Sequence, residues 1–256
     1  MTSPEPRASI VIPAYNEGED VLPGLDRIRE AVSVDAEVLV VVDTPDDTTV
    51  GPVERYSAEH PNVKIMINTY GRGPANAIRF GIDAANAKTV VVTMADGCDD
   101  PRQIDELVKL VERGVVVAAA SRYMPGGQQV GGPRFKTFLS RMAGRTLHTF
   151  AGIGTRDATN SFKAYDKAFV QAVGIDSRAG FEIGLELTAK ARRMRRAVAE
   201  IPTIWLDRTF GASNFKLSKW IPKYLRWYFF AYGGQLTPEQ IREKTGTTRP
   251  VADDGD

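Results

Sequence analysis

The chain has 256 residues, a length that allows one large α/β domain with a substantial core. Its 33 basic and 32 acidic side chains give a net charge of +1, so overall charge favours neither nucleic acid nor a strongly acidic partner. The one cysteine, Cys98, excludes an intrachain disulfide, and the two distant histidines, His60 and His148, argue against a zinc site. We therefore expect a reducing, cytoplasmic location and no nucleic-acid partner.

No apolar stretch reaches the roughly 18 uncharged residues of a spanning helix, and residues 1–7 lack the apolar core of a signal peptide. Residues 235–256 are polar and rich in turn formers, which predicts a short helix followed by a largely disordered tail. The sequence therefore predicts one domain, residues 8–233, without a membrane span.

Short apolar runs alternate with segments of helical period over the first 120 residues. The runs predict strands at 8–12, 37–42, 63–67, 89–93, 115–120 and 201–205. The intervening segments predict helices at 21–33, 53–59, 74–87, 102–113, 136–150, 166–173 and 181–196. Because the strands are uniformly apolar, helices should cover both of their faces, so we expect an α/β fold with a single doubly wound, mostly parallel sheet.

Polar or glycine-rich residues follow four successive predicted strands. In chain order they are Pro13-Ala-Tyr15-Asn-Glu17, then Asp43 with Asp46 and Thr48, then Gly71-Arg72-Gly73, and finally Ala95-Asp96 with Asp99 and Asp100. Each group alone also fits an ordinary turn. Because parallel strands end at one edge of a sheet, where such folds bind their ligands, the four groups together predict a functional site.

Asp96 is the most informative residue of the fourth group, since it comes directly after a buried apolar run. Carboxylate oxygens at that position suit a divalent cation that holds a diphosphate. Asp99 and Asp100 precede Pro101, so either could instead cap the following helix. Asp96 lies too far from that helix to serve as its cap.

The third group begins the pattern Gly71-x-Gly73-x-x-Asn76 and opens a predicted helix. Glycines there let backbone N–H groups approach a phosphate. A dinucleotide fingerprint normally follows the first strand of its unit, whereas this pattern follows the third. A nicotinamide-dependent dehydrogenase therefore stays a weaker alternative.

The four groups, in this order, resemble the family 2 glycosyltransferases of the GT-A fold, and within them the polyprenyl-phosphate sugar synthases related to dolichol-phosphate mannosyl- and glucosyltransferases. The resemblance extends from Ser9 to Trp227. Its later blocks are Ser121-Arg122-Tyr123, Lys136 with Ser140-Arg141, Asp157 to Lys163, Gly180-Phe181-Glu182, and Arg208 to Lys216.

The resemblance implies a pocket for the donor nucleotide and a metal beside it. The residues implied for the pocket are Pro13, Tyr15, Glu17, Asp43, Gly71, Arg72, Gly73 and Ala95. Asp96, helped by Asp99, would hold Mg²⁺ or Mn²⁺. Many relatives have an Asp-x-Asp motif here, but this chain has Met94 at the first position, which removes a negative charge and leaves the need for metal open.

The resemblance also implies an inverting transfer from a nucleotide sugar, GDP- or UDP-linked, to a polyprenyl phosphate. The residues implied for catalysis, several of them holding the acceptor phosphate, are Asp96, Arg122, Lys136, Ser140, Arg141, Arg208 and Lys216. One alternative is a family 2 enzyme acting on a hydroxyl acceptor, with Asp99, Asp100 or Glu182 as base. A non-catalytic module that binds nucleotide sugars is the other.

The segment 216–231 mixes basic and aromatic side chains, a composition typical of helices that lie in a bilayer interface. It predicts an amphipathic helix on a membrane surface, with the protein peripheral on the cytoplasmic face. The alternative is a helix that begins near Pro222 and packs its aromatic side chains against the core.

Overall fold

The structure is a computed structural model that describes residues 5–178, 180–207 and 217–246, with only the backbone considered at 217–220. Its strands are β1 (Ala8–Pro13), β2 (Ala36–Val42), β3 (Val63–Ile67), β4 (Thr89–Val92), β5 (Val117–Ser121), β6 (Gln128–Val130), β7 (Lys163–Asp166), β8 (Val198–Pro202) and β9 (Ile204–Leu206). Its α-helices are α1 (Leu22–Ala31), α2 (Val50–Glu59), α3 (Pro74–Ala84), α4 (Ile104–Glu112), α5 (Arg134–Thr146), α6 (Lys167–Val173), α7 (Ile183–Arg193), α8 (Leu217–Phe230) and α9 (Pro238–Thr245).

Seven strands of the described chain form one sheet in the order β3-β2-β1-β4-β7-β5-β8. All neighbouring pairs are parallel except those of β7, which runs antiparallel to β4 and to β5. The predicted mostly parallel sheet is confirmed, but β7 was not predicted from the sequence pattern. The segment predicted as one strand at 201–205 divides instead, because β8 pairs with β5 while β9 pairs with β6 in a separate two-stranded sheet.

Helices cover both faces of the large sheet, as predicted. On β1, Ile10 and Ile12 face a core completed by α1, α2 and α4, whereas Val11 between them faces a core completed by α3, α6 and α7. All three side chains are buried. Successive side chains of a strand point to opposite faces, so a strand covered on both sides must be apolar throughout.

Helix α8 has two apolar faces. Trp227 is buried together with Ala231 against α7 and the end of α5, and its indole Nε1 donates to Ser177 Oγ at 3.2 Å. The opposite face, Ile221, Leu225 and Phe229, is 39%, 43% and 66% exposed. The alternative of a core-packed helix is therefore correct for one face, although the helix begins at Leu217 and not near Pro222. The membrane-surface interpretation of the exposed face stays a prediction.

Helix α9 is the short helix predicted at the start of the polar segment 235–256. Thr237 forms a capping box with Gln240, and Ile241 is buried in the core that also contains α6. Residues 235–246 are therefore part of the packed structure, while residues 247–256 lie outside the described ones. Within the described chain, no helix has both the length and the apolarity needed to cross a bilayer.

Candidate active site at the carboxyl edge of the sheet

The loop after β1 is held by the loop after β2. Asp47 is buried and its two carboxylate oxygens accept the backbone N–H of Asn16 at 3.1 and 3.0 Å. The N–H of Glu17 donates to Thr49 Oγ1 at 3.1 Å. These bonds fix the loop that presents Tyr15, which is 68% exposed. Pro13, also predicted to line the pocket, is buried at the end of β1.

Asp43, which follows β2, holds the glycine loop, residues 71–73 between β3 and α3. Its carboxylate accepts the N–H of Gly73 at 2.7 Å and Asn68 Nδ2 at 2.9 Å, and the same Asn68 amide reaches Gly71 O at 2.7 Å. Gly71 and Gly73 have φ of +99° and +113°, conformations that favour glycine. We predicted that the Gly73 N–H would face a phosphate, but here it is bonded to Asp43. Arg72 between the glycines is exposed and points its charge to the surface.

The acidic loop follows β4, which ends at Val92, earlier than predicted. Asp96 Oδ1 accepts the backbone N–H of Cys98 at 3.1 Å. Asp99 is 6% exposed, and Oδ2 of its carboxylate accepts Thr93 Oγ1 at 2.9 Å and the N–H of Met94 at 3.2 Å. Burial, reinforced by the nearby charge of Asp96, raises the pKa of Asp99 to about 6.

Asp100 has a structural role. Its side chain accepts the backbone N–H of Arg102 at 3.1 Å and so caps the short 3₁₀ turn before α4. It also forms an ion pair with the Arg102 guanidinium at 2.6 Å. The N-cap interpretation of Asp100 is therefore correct, and the interpretation of Asp99 as a cap is wrong because its bonds run back to the end of β4. Asp96 and Asp99 are therefore the two carboxylates of this loop without a capping role.

The two carboxylates fit a divalent cation. They lie close enough for the charge of Asp96 to raise the pKa of Asp99, and a cation between them would remove that repulsion. No cluster of three or more acidic, histidine or cysteine ligands occurs in the described part of the chain. Mg²⁺ and its relatives need only one or two carboxylates when phosphate oxygens complete the coordination.

Asp99→Asn should stabilise the protein while it weakens cation binding. In the native protein the pKa of Asp99 is raised from 3.8 to about 6. Between these pH values the folded state binds a proton that the unfolded state has released, so the free energy of unfolding falls as pH rises through this range. Asparagine removes the charge and keeps both hydrogen bonds. We expect up to about 3 kcal/mol of additional unfolding free energy at pH 7.5 and much less at pH 4. Urea denaturation at both pH values tests this; an equal change at both would contradict it.

Arg122 forms the second part of the site. It follows β5, and its Nε and Nη2 donate to the two oxygens of Asp157 at 2.7 and 2.9 Å, while its backbone N–H donates to the same carboxylate at 3.0 Å. The side chain of Asp157 is fully buried and that of Arg122 is 12% exposed. Burial opposes the charge of Arg122, but Asp157 raises the pKa of the guanidinium well above its usual value. The cation is therefore permanent and fixed in direction.

Helix α5 brings further predicted residues to Arg122. Ser140 Oγ lies 3.5 Å from Arg122 Nη2 and 2.6 Å from Thr159 Oγ1. The guanidinium of Arg141 lies 6.0 Å from the ring centre of Tyr123, which Arg122 approaches to 5.0 Å. Lys136, half-buried, precedes Ser140 by one helical turn and so shares its face of α5. Arg122, Ser140 and Arg141 thus lie together, Lys136 lies on the same face of α5 as Ser140, and Arg208 and Lys216 lie outside the described residues.

Glu182 immediately precedes α7 on the same side of the molecule. It is 3% exposed, and its Oε2 has no hydrogen-bond partner among the described residues. Burial raises the pKa of its carboxyl group. A Cβ atom added to Gly184, two residues further on, would lie 2.9 Å from Asn160 O, so the start of α7 packs against the 157–160 loop. Glu182 therefore lies near the cluster formed by Arg122, Ser140, Asp157 and Thr159.

Three residues of the cluster were not assigned roles from sequence: Asp157, Thr159 and Lys163. Their segment was noted only as part of the resemblance. Asp157 is the partner of Arg122, Thr159 bonds Ser140, and Lys163 is buried beneath them. The polar run Asp157-Ala-Thr-Asn-Ser was the available signal, although strand β7, which follows it after Phe162, is too short and too polar to be predicted from its own pattern.

Comparison with known proteins identifies the family. The model of "Glycosyl transferase family 2" matches residues 9–174, which is more than half of the chain. The chain belongs to glycosyl transferase family 2. This family member is 29% identical to undecaprenyl-phosphate mannosyltransferase of Micrococcus luteus over 215 residues, covering 81% of this chain and 87% of that protein. It is 31% identical to dolichol-phosphate mannosyltransferase of Pyrococcus furiosus, covering 86% of this chain and 62% of that longer protein.

Solved structures with the same fold support the GT-A assignment. Glucosyl-3-phosphoglycerate synthase from Mycobacterium tuberculosis, in complex with Mn²⁺, UDP and glucosyl-3-phosphoglycerate, has a TM-score of 0.64 at 16% identity, covering 90% of this chain and 81% of that one. The mannosyltransferase PcManGT from Pyrobaculum calidifontis, in complex with GDP-Man and Mn²⁺, has a TM-score of 0.60 at 20% identity, covering 97% of this chain and 71% of that one. The predicted GT-A fold of this glycosyltransferase is therefore confirmed.

Proposed function

We propose that this glycosyltransferase moves a sugar from a nucleotide sugar to a polyprenyl phosphate. The observation that carries the proposal is the arginine at the sheet edge, Arg122, which Asp157 holds through three hydrogen bonds beside Ser140. None of these bonds uses Nη1, so that nitrogen can donate to a phosphate. The names of the Micrococcus and Pyrococcus relatives, which specify undecaprenyl phosphate and dolichol phosphate, support the same acceptor class.

The donor diphosphate belongs at the other part of this edge. Tyr15 offers an exposed ring for a nucleobase, and Asp43 holds the glycine loop at the start of α3. Asp96 and Asp99 supply the carboxylates for Mg²⁺ or Mn²⁺, which, when bound, draws negative charge onto the departing nucleoside diphosphate. The neighbours solved with UDP or GDP-mannose favour a UDP- or GDP-sugar donor with Mn²⁺.

The proposed reaction needs orientation more than proton transfer. An oxygen of the acceptor phosphate attacks the anomeric carbon as the bond from that carbon to the nucleotide's terminal phosphate oxygen breaks, and the configuration inverts. A phosphate is already anionic near neutral pH, so no base has to remove a proton. Arg122, with Ser140 and the cations of α5, holds the phosphate behind the anomeric carbon.

A transfer assay tests the proposal directly. Purified protein is incubated with GDP-, UDP-, CDP- and TDP-sugars, Mn²⁺ or Mg²⁺, and undecaprenyl phosphate, and the lipid phase is analysed by mass spectrometry. We expect a lipid-linked sugar from one donor. Transfer only to a soluble hydroxyl would instead favour the second candidate function, a hydroxyl-directed enzyme. Its base would be the buried carboxylate of Glu182, whose Oε2 has no hydrogen-bond partner among the described residues.

A surface made by α5 and α8 supports a peripheral membrane location. The exposed side chains of α8 continue onto α5 and the turn after it, and Tyr228 of α8 bonds Thr146 of α5 at 2.9 Å, so the two helices lie side by side. The exposed apolar side chains of this helix pair are Phe135, Phe138, Met142, Phe150, Ile221, Leu225 and Phe229. Exposed basic residues, Arg134 and Arg145 among them, flank these apolar side chains, as anionic lipid would require. We propose that the helix pair rests on the cytoplasmic face of the membrane.

Flotation with liposomes tests the helix pair. The native protein should float with anionic vesicles, and the triple variant Ile221→Ser, Leu225→Ser, Phe229→Ser should partition at least about tenfold less, since each lost side chain removes about 1.5–3 kcal/mol of burial. Tyr70→Ser, which alters a residue that is 44% exposed next to α3, serves as the control. Equal flotation of the triple variant and the control would contradict the proposed membrane surface.

A further inference from the structure

Lys163, at the start of β7, is fully buried although it is a lysine. Its ammonium group donates to three backbone carbonyl oxygens, those of Asp157 at 3.4 Å, Ala158 at 3.2 Å and Asn160. Lysine is almost never fully buried without a partner, because removing its charge from water is costly. Three carbonyls on one short loop therefore indicate that the charge serves to hold that loop.

The loop held by Lys163 is the one that contacts the Arg122 cluster. Asp157 carries the carboxylate that fixes Arg122, and Thr159 carries the hydroxyl that bonds Ser140. Asn160 ties the same loop to β5 through Nδ2 and Ala120 O at 2.9 Å. A small shift of the loop would move both contacts, and with them the two side chains assigned to the acceptor phosphate.

The surroundings leave little room for Lys163 to do anything else. Both oxygens of Asp157 are bonded to Arg122, so the ammonium group meets the backbone of Asp157 and not its carboxylate. The start of α7 closes the other side, where a Cβ atom added to Gly184 would lie 3.2 Å from Lys163 Nζ and 2.9 Å from Asn160 O. A glycine at 184 thus permits the close approach of α7 to the lysine and its loop.

We propose that Lys163 is a positioning residue for the acceptor phosphate: its ammonium group fixes the 157–160 loop, and the loop in turn aims Arg122 and Ser140. The inference rests on the proposed function, because it assumes a phosphate acceptor. It assigns Lys163 no contact with either substrate.

The charge state of Lys163 gives the proposal a pH signature. Burial, with Arg122 adding to it, lowers the pKa of Lys163 to about 7, although Asp157 and Asp99 act in the opposite direction. An ammonium group can donate to all three carbonyls, whereas a neutral amine has only two N–H groups. Below about pH 7 the loop is fully held, and above it the acceptor KM should rise. Ionisation of the acceptor phosphate itself, near pH 6, is nearly complete by then.

Lys163→Met tests the proposal, with Lys167→Met as the matched control. Lys167 also donates to backbone carbonyls, those of Asp83 and Ala85, but it does so at the start of α6, away from the 157–160 loop. Both variants are assayed for transfer to undecaprenyl phosphate, for the KM of donor and acceptor between pH 6 and 9, and for thermal stability. We expect Lys163→Met to lower kcat/KM for the acceptor by about 10- to 100-fold, the usual effect of losing a residue that orients a functional group. The donor KM should stay unchanged. The rise in acceptor KM above pH 7 should disappear. Lys167→Met should keep the native values and pH profile.

Two results would overturn the proposal. One is a folded Lys163→Met protein with native acceptor KM and kcat; the other is an equal effect on donor and acceptor KM, which would indicate general damage. If Lys163→Met does not fold, the native enzyme decides, because an acceptor KM that stays flat from pH 6 to 9 overturns the proposal. Absence of transfer to undecaprenyl phosphate by the native enzyme would refute the proposed function itself, which keeps the two failures distinct.

Discussion

Asp96→Asn should reduce sugar transfer by roughly 10³-fold, about what enzymes lose when a group that stabilises charge in the transition state is removed. Asp96 and Asp99 are the carboxylates of the acidic loop that no helix cap uses. Asparagine keeps the size of Asp96 and can still accept the Cys98 N–H, but it removes the charge that binds the cation. We expect the loss in kcat, with Mn²⁺ dependence shifted to higher concentration and stability little changed.

Asp100→Ala is the matched control for that result. Asp100 lies four residues further on in the same loop, but it caps the turn before α4 and pairs with Arg102. Its loss should cost about 1 kcal/mol of unfolding free energy and leave transfer within a few-fold of native. Complete loss of activity from both substitutions would show that Asp100, and not only Asp96, belongs to the reaction.

Arg122→Lys should lower kcat/KM for the lipid phosphate by about 100-fold or more while donor KM stays near its native value. Lysine keeps the positive charge but cannot reproduce the fork in which Nε and Nη2 of Arg122 bond both oxygens of Asp157. The cation would then no longer be held in one direction beside Ser140. Steady-state kinetics with each substrate varied in turn measures the two effects separately.

Arg156→Lys provides the comparison for Arg122→Lys. Arg156 adjoins Asp157 in sequence and forms an ion pair with Glu200 at 2.5 Å, but its side chain is 41% exposed and the pair lies outside the cluster around Ser140. We expect acceptor kinetics close to native. If both lysine variants lost the same activity, the loss would reflect a disturbed loop rather than a missing phosphate ligand.

The sequence predicted the parts of the fold that depend on local pattern. Uniformly apolar runs located β1 to β5, and side chains of β1 alternate between two cores as a doubly wound sheet requires. Asp43 follows β2 and Asp96 follows β4, and both lie at the same edge of the sheet because β1, β2 and β4 are parallel. Parallel pairing converts separate stretches of sequence into one edge, and for that reason the donor side could be predicted.

The sequence alone could not predict which distant segments of the chain pair with each other. β7 lies between β4 and β5 and runs antiparallel to both. Because it has only four residues, no local periodicity predicts it. The same insertion brings Asp157 to Arg122 across 35 residues of sequence. Likewise, the bonds of Asp43 to Gly73 and Asn68 could not be predicted, because they form only when the loop is folded.

The central claim is that this edge of the sheet binds a nucleoside diphosphate through a cation held at Asp96 and Asp99. Thermal unfolding of the native protein and Asp96→Asn with GDP, UDP, CDP and TDP, each with and without Mn²⁺ or Mg²⁺, measures this directly, because a ligand bound only by the folded state raises Tm. We expect one diphosphate to raise Tm of the native protein when the cation is present, and to do so far less in Asp96→Asn. Stabilisation that is independent of the cation and unchanged in the variant, or no stabilisation by any diphosphate, would contradict the claim.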